Sequence, residues 1–157
     1  MQNQLDDFEA WAGGLLSKLQ PAARRAAMRD VARVLRRSQQ TRIAAQRNPD
    51  GAAYEPRKPR FEVGAKKLRD KRGRIKRAAM FAKLRTIRYM RTEVGADGLA
   101  IGFAGRVARI ARIHQFGETA PVAPGGRDYR YPARTLLGFT DADRELIRDM
   151  LLKHITQ

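Results

Sequence analysis

Apolar residues at the start of the chain recur at steps of three and four positions, which places them on one face of a helix. The pattern predicts a helix from about Asn3 to Leu19, with its apolar face made of Leu5, Phe8, Ala12, Leu15, Leu16 and Leu19. Pro21 fits the first turn of a second helix, because its missing N–H would have no intrahelical partner there. That helix is predicted to reach about Gln46, and its inner face consists of Ala27, Met28, Val31, Val34, Leu35 and Ser38.

The other face of the second predicted helix is rich in arginine, which is typical of a solvated surface. Its members are Arg24, Arg25, Arg29, Arg33, Arg36, Arg37 and Arg42. The run Asn48–Gly51 then combines proline and glycine in a strong turn signal. Residues 1–47 are therefore predicted to form a helical hairpin.

Residues 52–77 are rich in Lys, Arg, Pro and Gly, with scattered apolar positions. This composition predicts a flexible basic arm that becomes ordered on contact with a partner. Tyr54 and Phe61 are aromatic residues of this arm that could stack on nucleic-acid bases.

Residues 78–157 are predicted to form the α+β body of the protein. Ala78–Tyr89 has the mixed spacing of a short helix that leads into a strand, and the boundaries of the two stay open. Tyr89–Val94 and Leu99–Phe103 flank a loop with two glycines, which predicts a β-hairpin. A short helix should follow and end at a left-handed Gly117, with one face made of Val107, Ile110, Ile113 and His114.

The remaining pattern predicts a loop, an extended segment and a closing helix. Glu118–Arg127 is interpreted as the loop, and Tyr131–Phe139 as extended chain. Pro132 near its start indicates a sheet edge or a strand end.

The last helix is predicted over Asp141–Ile155, with Thr140 as its cap and the carboxylate of Asp143 facing free backbone donors. The chain thus reads as a single α+β domain over residues 1–157: a helical hairpin, a basic arm, a small antiparallel sheet with a short helix, and a C-terminal helix.

The excess of positive charge predicts that the folded chain has an anionic partner. Lys and Arg number 33 against 16 Asp and Glu, which gives a formal net charge of +17. Nucleic acid, a membrane surface and an acidic protein face are the three candidates. No apolar run approaches the roughly 20 residues that cross a bilayer, and the N-terminus begins with acids instead of a signal peptide. We therefore expect no membrane partner, and synthesis and use in the cytoplasm.

The sequence offers little that could support catalysis. Cysteine is absent, which excludes disulfides, thiolate zinc sites and cysteine nucleophiles. His114 is interpreted as a packed or capping residue, and His154 as a cation in the last turn of a helix. Helix capping accounts for Asp141 and Asp143. No catalytic, metal or cofactor site is predicted, and no small-molecule substrate.

The densest charge lies in the arm, at Lys66, Lys67, Arg69, Lys71, Arg72, Arg74, Lys76 and Arg77. Such side chains bind polyanions by releasing counterions, without sequence specificity. A solvated loop and a partner-binding segment are both compatible with this run.

Five segments taken in order resemble the tail completion family of contractile-tailed temperate phages, also called the phage virion morphogenesis family. They are Arg37–Arg42, Pro49–Arg57, Met80–Leu84, Ile113–Gly117 and Tyr131–Thr140, the last leading into a helix that starts with acidic residues. The resemblance covers nearly the whole chain. Between Gly117 and Tyr131 the sequence departs from the family, because it is rich in Pro and Gly where the family often carries charged residues.

The resemblance implies a late, non-enzymatic structural protein of the virion that acts at the head-proximal end of the tail, often as a ring of six copies. Its partners would be further copies of itself, tail tube, sheath or terminator proteins, and neck or head-completion proteins. The candidate contact residues are His114, Gln115, Phe116, Gly117, Tyr131, Pro132, Arg134, Leu136 and Phe139.

In such a virion the basic arm would meet an acidic face of a tail or neck protein, or genomic DNA in the channel. We favour the protein face, because DNA passes more easily along walls that do not hold phosphates. The alternative function is a free, non-specific nucleic-acid-binding protein that acts through the arm, although no known nucleic-acid-binding signature accompanies the charge.

Overall fold

The computed structural model describes residues 2–17, 19–57, 79–95 and 98–156. Over these residues the chain is an α+β protein, as predicted, with helices at both ends and short antiparallel hairpins between them. The elements in order are α1 (Gln2–Leu16), α2 (Pro21–Ala44), β1 (Met90–Val94), β2 (Leu99–Phe103), a 3-10 turn (Gly105–Val107), α3 (Ala108–Phe116), β3 (Thr119–Pro121), β4 (Asp128–Arg130) and α4 (Asp141–Thr156).

The three longer helices share one apolar cluster. Its buried members are Ala27, Val31 and Leu35 of α2 and Ile147 and Leu151 of α4. Of the apolar face predicted for the first helix, all members but Leu5 pack against them, and so does Trp11. Both N-terminal helices were predicted to within three residues at either end, because the three-and-four spacing of apolar residues is a direct signal of a helix face.

A second apolar cluster lies near the C-terminal end of α2, against the first hairpin. Its buried members are Ile43, Tyr54, Met80, Leu84, Met90, Ala111 and Leu136. The predicted hairpin is confirmed: β1 pairs antiparallel with β2, from Met90 opposite Phe103 to Val94 opposite Leu99. Ile101 contacts both clusters, so the hairpin and the helices form one continuous core.

Two predicted helix ends are confirmed in detail. Gly117 has φ 67° and ψ 41° after α3, and its nearest neighbours leave no room for a side chain, since a Cβ would lie 3.1 Å from the Ala133 nitrogen. At the start of α4, the Asp143 N–H donates to the Thr140 hydroxyl at 3.0 Å, and the Thr140 N–H donates to the Asp143 carboxylate at 3.0 Å. This reciprocal pair is a capping box.

The prediction for residues 118–127 was wrong in one place. The segment read as a loop contains β3, which pairs with β4 from Thr119 opposite Arg130 to Pro121 opposite Asp128. Strands of three residues are too short to show an alternating pattern. Residues 131–139, predicted to be extended, belong to no helix and pair with no described strand.

The structure corrects several further expectations. Residues 81–89 form consecutive turns instead of a helix, and Phe81 has a φ of 63°. Tyr54, assigned to the arm, is buried in the second cluster, and the N–H of Tyr54 donates to the Gln46 carbonyl at 2.7 Å. Ile110 of α3 is half exposed, while its neighbour Ala111 is buried. Arg42, assigned to the solvated arginine face, is also buried.

Candidate functional site

Residues 131–140, here called the strap, connect β4 to α4 and run between the two apolar clusters. The strap belongs to no helix or strand, yet Leu136 in its centre is completely buried. Buried N–H and C=O groups must find hydrogen-bond partners, so those of the strap must bond outside regular secondary structure. Side chains from α2, from the turn that follows it and from α3 provide these bonds.

The guanidinium of Arg42 binds the carbonyls of the strap. Nη1 donates to the Thr135 carbonyl at 2.9 Å and Nη2 donates to the Leu136 carbonyl at 2.8 Å. The same group also donates to the Arg47 carbonyl and to the Gln39 side chain. Arg42 is only 9% exposed. Burial lowers the pKa of its guanidinium, while the charges of Tyr54 and Asp143 oppose the shift.

The N–H groups of the strap are bound by three amide side chains. The Thr135 N–H donates to Oδ1 of Asn48 at 2.8 Å, and the Gly138 N–H donates to Oε1 of Gln39 at 3.2 Å. Between them, Oε1 of Gln115 accepts from the Leu136 N–H at 2.8 Å and from the Leu137 N–H at 3.0 Å. Nε2 of Gln115 donates back to the Leu137 carbonyl at 2.9 Å. Each N–H from 135 to 138 therefore has a side-chain acceptor.

Arg134 joins the start of the strap to the first residues of the predicted arm. Its Nε donates to the Glu55 carbonyl at 2.7 Å, and Nη2 donates to the Pro56 carbonyl at 3.2 Å. Its backbone N–H donates to the His114 carbonyl at 2.6 Å. Arg134 is 4% exposed, and burial lowers the pKa of its guanidinium. Like Arg42, it is a buried cation whose guanidinium donates mainly to backbone carbonyls.

His114 is held in its neutral form. Nη1 of Arg134 lies 3.1 Å from Nδ1 of His114. A guanidinium can only donate, so Nδ1 must accept and the proton of the neutral ring is on Nε2. Burial, together with the positive charges of Arg134 and Arg57, lowers the pKa of His114 to about 4.

A row of rings runs outward from the core past His114. The centroids of Tyr54 and Phe81 are 5.8 Å apart, those of Phe81 and His114 4.8 Å, and those of His114 and Tyr131 5.2 Å. Tyr131 then meets Tyr129 at 4.9 Å. All four contacts are edge-to-face, which is a favoured geometry for aromatic pairs. The row fixes the position of Tyr131 and Tyr129 at the surface.

Beside the outer end of this row lies a shallow surface groove, here called the Phe116 face. Phe116 at the end of α3 is 69% exposed. The other residues that line the groove are Glu55, Gly117, Tyr129, Arg130, Tyr131, Pro132 and Ala133. Exposed aromatic side chains on a rigid support are typical anchors of protein interfaces.

The structure divides the nine predicted contact residues into two groups. Arg134, Leu136, Gln115 and His114 hold the inside of the chain together, and Phe139 packs against the first apolar cluster. Phe116, Gly117, Tyr131 and Pro132 line the Phe116 face. The predicted basic residues of the arm, Lys66 to Arg77, lie outside the described residues.

Sequence reasoning missed Arg42, Gln39 and Asn48 as structural donors and acceptors. A signal was present for two of them: Gln39 and Arg42 follow Leu35 by four and seven residues, so all three share the inner face of α2. For Asn48 the sequence indicated only a turn, and not its hydrogen bond to the strap.

Two negative findings concern the described residues alone. None of their His, Asp and Glu side chains form a group of three that could hold a metal ion. No helix among them is long and apolar enough to cross a membrane.

Comparison with known proteins gives a match over almost the whole chain. The model of the phage virion morphogenesis family matches residues 3–156. Tail completion protein S of Escherichia phage P2 is 38% identical over 154 residues, which cover 98% of each chain. No solved structure matches the chain.

The Gln115→Ala variant tests how strongly side chains hold the strap. We expect its free energy of unfolding to fall by about 2 to 4 kcal/mol, because two N–H groups and a carbonyl lose their partner. Urea unfolding measures this loss. Gln40→Ala is the matched control, since Gln40 makes a single exposed bond to the Arg85 carbonyl and should cost less than about 1 kcal/mol. Equal losses in the two variants would contradict the assignment.

The neutral state of His114 predicts a pH dependence of stability. Its pKa is about 4 in the folded chain against 6.5 in the unfolded chain, so the unfolded chain binds more protons in this window. Stability should be full above pH 6.5 and should fall as the pH drops towards 4. Urea titrations at several pH values should show a smaller loss for His114→Gln than for the wild type. The assignment would be contradicted if the free energy of unfolding depended on pH in His114→Gln as it does in the wild type. It would also be contradicted if this pH dependence changed only in the control His154→Gln.

Proposed function

The chain belongs to the phage virion morphogenesis family, and we propose that it completes the tail at its head-proximal end so that the tail can join the head. Membership places the chain in virion assembly. The finer role is supported by the name of the relative from Escherichia phage P2, whose sequence aligns over 98% of both chains. On this proposal the protein resides in the tail or neck of the virion, after assembly in the host cytoplasm.

We further propose that the protein works as a closed ring of identical copies, with a hexamer as the expected size. In a ring, each subunit presents two different faces to its neighbours. The Phe116 face supports one half of this contact, because it combines an exposed aromatic ring with a rigid base. The second half is assigned to the outer edges of the β1–β2 hairpin, which are unpaired among the described residues.

The strap itself is not available as a docking edge in this proposal. Its N–H groups from 135 to 138 are bound to side chains within the chain. The contact therefore falls to side chains at the start of the strap, Tyr131 and Pro132, together with Phe116. The buried motif residues support the interface from below instead of touching the neighbour.

We propose no catalytic role for the chain. Two residues that could act as acid or base have structural roles: His114 accepts from Arg134, and Asp143 caps α4. His154 lies 3.4 Å from Asp30, at the contact between α4 and α2. Packing, hydrogen bonding and ion pairing therefore account for these three side chains.

The Phe116→Ser variant tests the ring contact. We expect the wild type to form a defined oligomer in high salt and Phe116→Ser to shift it towards monomer, because the variant lacks an exposed aromatic anchor. Size-exclusion chromatography with light scattering measures the change. Val122→Ser is the matched control, since Val122 is also an exposed apolar residue, at 55%, but lies in the loop between β3 and β4. A monomeric wild type, or equal oligomers in wild type and Phe116→Ser, would argue against the Phe116 face.

Deletion of Lys66–Arg77 tests the role of the basic arm in joining tail to head. We expect phage that carry the deletion to accumulate unjoined heads and tails, because the shortened arm can no longer bind an acidic partner through its cations. The circular dichroism spectrum should stay that of the wild type. Infectious yield and electron microscopy of lysates provide the readout, and a normal yield refutes the role.

A further inference from the structure

The outer face of α2 carries four exposed arginines at intervals of four residues: Arg25, Arg29, Arg33 and Arg37. This set is called the arginine stripe. Residues four apart are neighbours on a helix, about 6 Å from each other, so the stripe extends for about 18 Å along the axis. Arg33 pairs with Asp30 at 3.1 Å. Within the described part of the chain, the other three guanidiniums have no hydrogen-bond or ion-pair partner.

The stripe is not required for the fold of α2. The inner face of the helix packs against α4 and the first hairpin through apolar side chains, with Gln39 and Arg42 as its buried polar members. Like charges four residues apart repel and weaken a helix. The arrangement therefore favours a surface whose charge is compensated by a bound polyanion.

The composition of the stripe discriminates between a protein and a nucleic acid as that polyanion. The centre of a protein interface is enriched in aromatic and other apolar anchors. The large exposed apolar side chains of the described residues lie on other elements, and α2 contributes none of them. An arginine about every 6 Å corresponds to roughly one for every two phosphates along a DNA strand, since the rise is about 3.4 Å.

We propose that the arginine stripe of α2 binds the sugar-phosphate backbone of duplex DNA without reading its sequence. Guanidinium groups suit this task, because their planar donors match phosphate oxygens. Such contacts are electrostatic and carry no sequence information, and their strength falls as the salt concentration rises. The contact with duplex DNA does not rest on the proposed function.

The test is a salt titration of duplex DNA binding by the purified full-length chain. The probe is a short duplex of random sequence with a fluorescent label, followed by anisotropy between about 50 and 200 mM salt. The stripe variant carries Arg25→Gln, Arg29→Gln and Arg37→Gln, which leaves the Arg33–Asp30 pair intact. The control carries Arg106→Gln, Arg109→Gln and Arg127→Gln, three exposed arginines of the 3-10 turn, α3 and the loop before β4. Both variants lose the same charge, and circular dichroism checks their folding.

The slope of log affinity against log salt should become shallower by about three units in the stripe variant, roughly one for each arginine that no longer neutralises a phosphate. The control should keep the slope of the wild type within about one unit.

Two results of the titration would overturn the proposal. Equal changes of slope in the two variants would mean that net charge alone drives binding, and no change in either variant would exclude the stripe. The proposal is overturned as well if the stripe variant binds DNA normally but no longer binds isolated tails, because the partner is then an acidic protein face. The arm deletion tests the proposed function separately, since Arg25, Arg29 and Arg37 remain in that variant.

Discussion

The fold depends on satisfying the backbone of a buried segment that belongs to no helix or strand. The strap passes between the two apolar clusters, and Leu136 is completely buried at its centre. Each unsatisfied N–H or C=O there would cost about 1 to 3 kcal/mol. Arg42, Asn48, Gln39 and Gln115 remove that cost by replacing the partners that a neighbouring strand would otherwise provide. These four side chains join α2, the following turn and α3 to the C-terminal part of the chain.

This constraint gives a physical meaning to the motifs of the family. One motif segment, Tyr131–Thr140, is the strap itself. The other four meet around it: Arg37–Arg42, Pro49–Arg57, Met80–Leu84 and Ile113–Gly117. Several of their polar side chains, among them Gln39, Arg42 and Gln115, bond to the strap and so build the molecule instead of touching a partner. What they present outward is the Phe116 face, held in place by Gly117 and by the row of rings that ends at Tyr129. A rigid aromatic surface on a braced base suits a protein whose proposed work is to fit against other chains.

Where sequence reasoning succeeded, the signal was local. Periodic apolar residues gave α1, α2 and α4; Thr140 and Asp143 gave the cap of α4, and the glycines at 95 and 98 gave the first hairpin. It failed where tertiary contacts decide. Arg42 was assigned to the solvent because arginine is usually exposed, although its position relative to Leu35 predicts the inner face of α2. The strap was predicted only as extended chain, because nothing local reveals that its hydrogen-bond partners are side chains up to 99 residues away. The sequence identified the segments that form the candidate site. Only the structure separated the residues that bond within the chain from those that line the Phe116 face.

Amide hydrogen exchange is the most direct measurement of the side-chain bracing on which the molecule depends. The account predicts that the amides of residues 135–138 exchange only with global unfolding, as slowly as those in the middle of α2, despite the absence of secondary structure. Exchange of these amides as fast as that of the exposed Ala123 and Gly125 in the loop between β3 and β4 would contradict it.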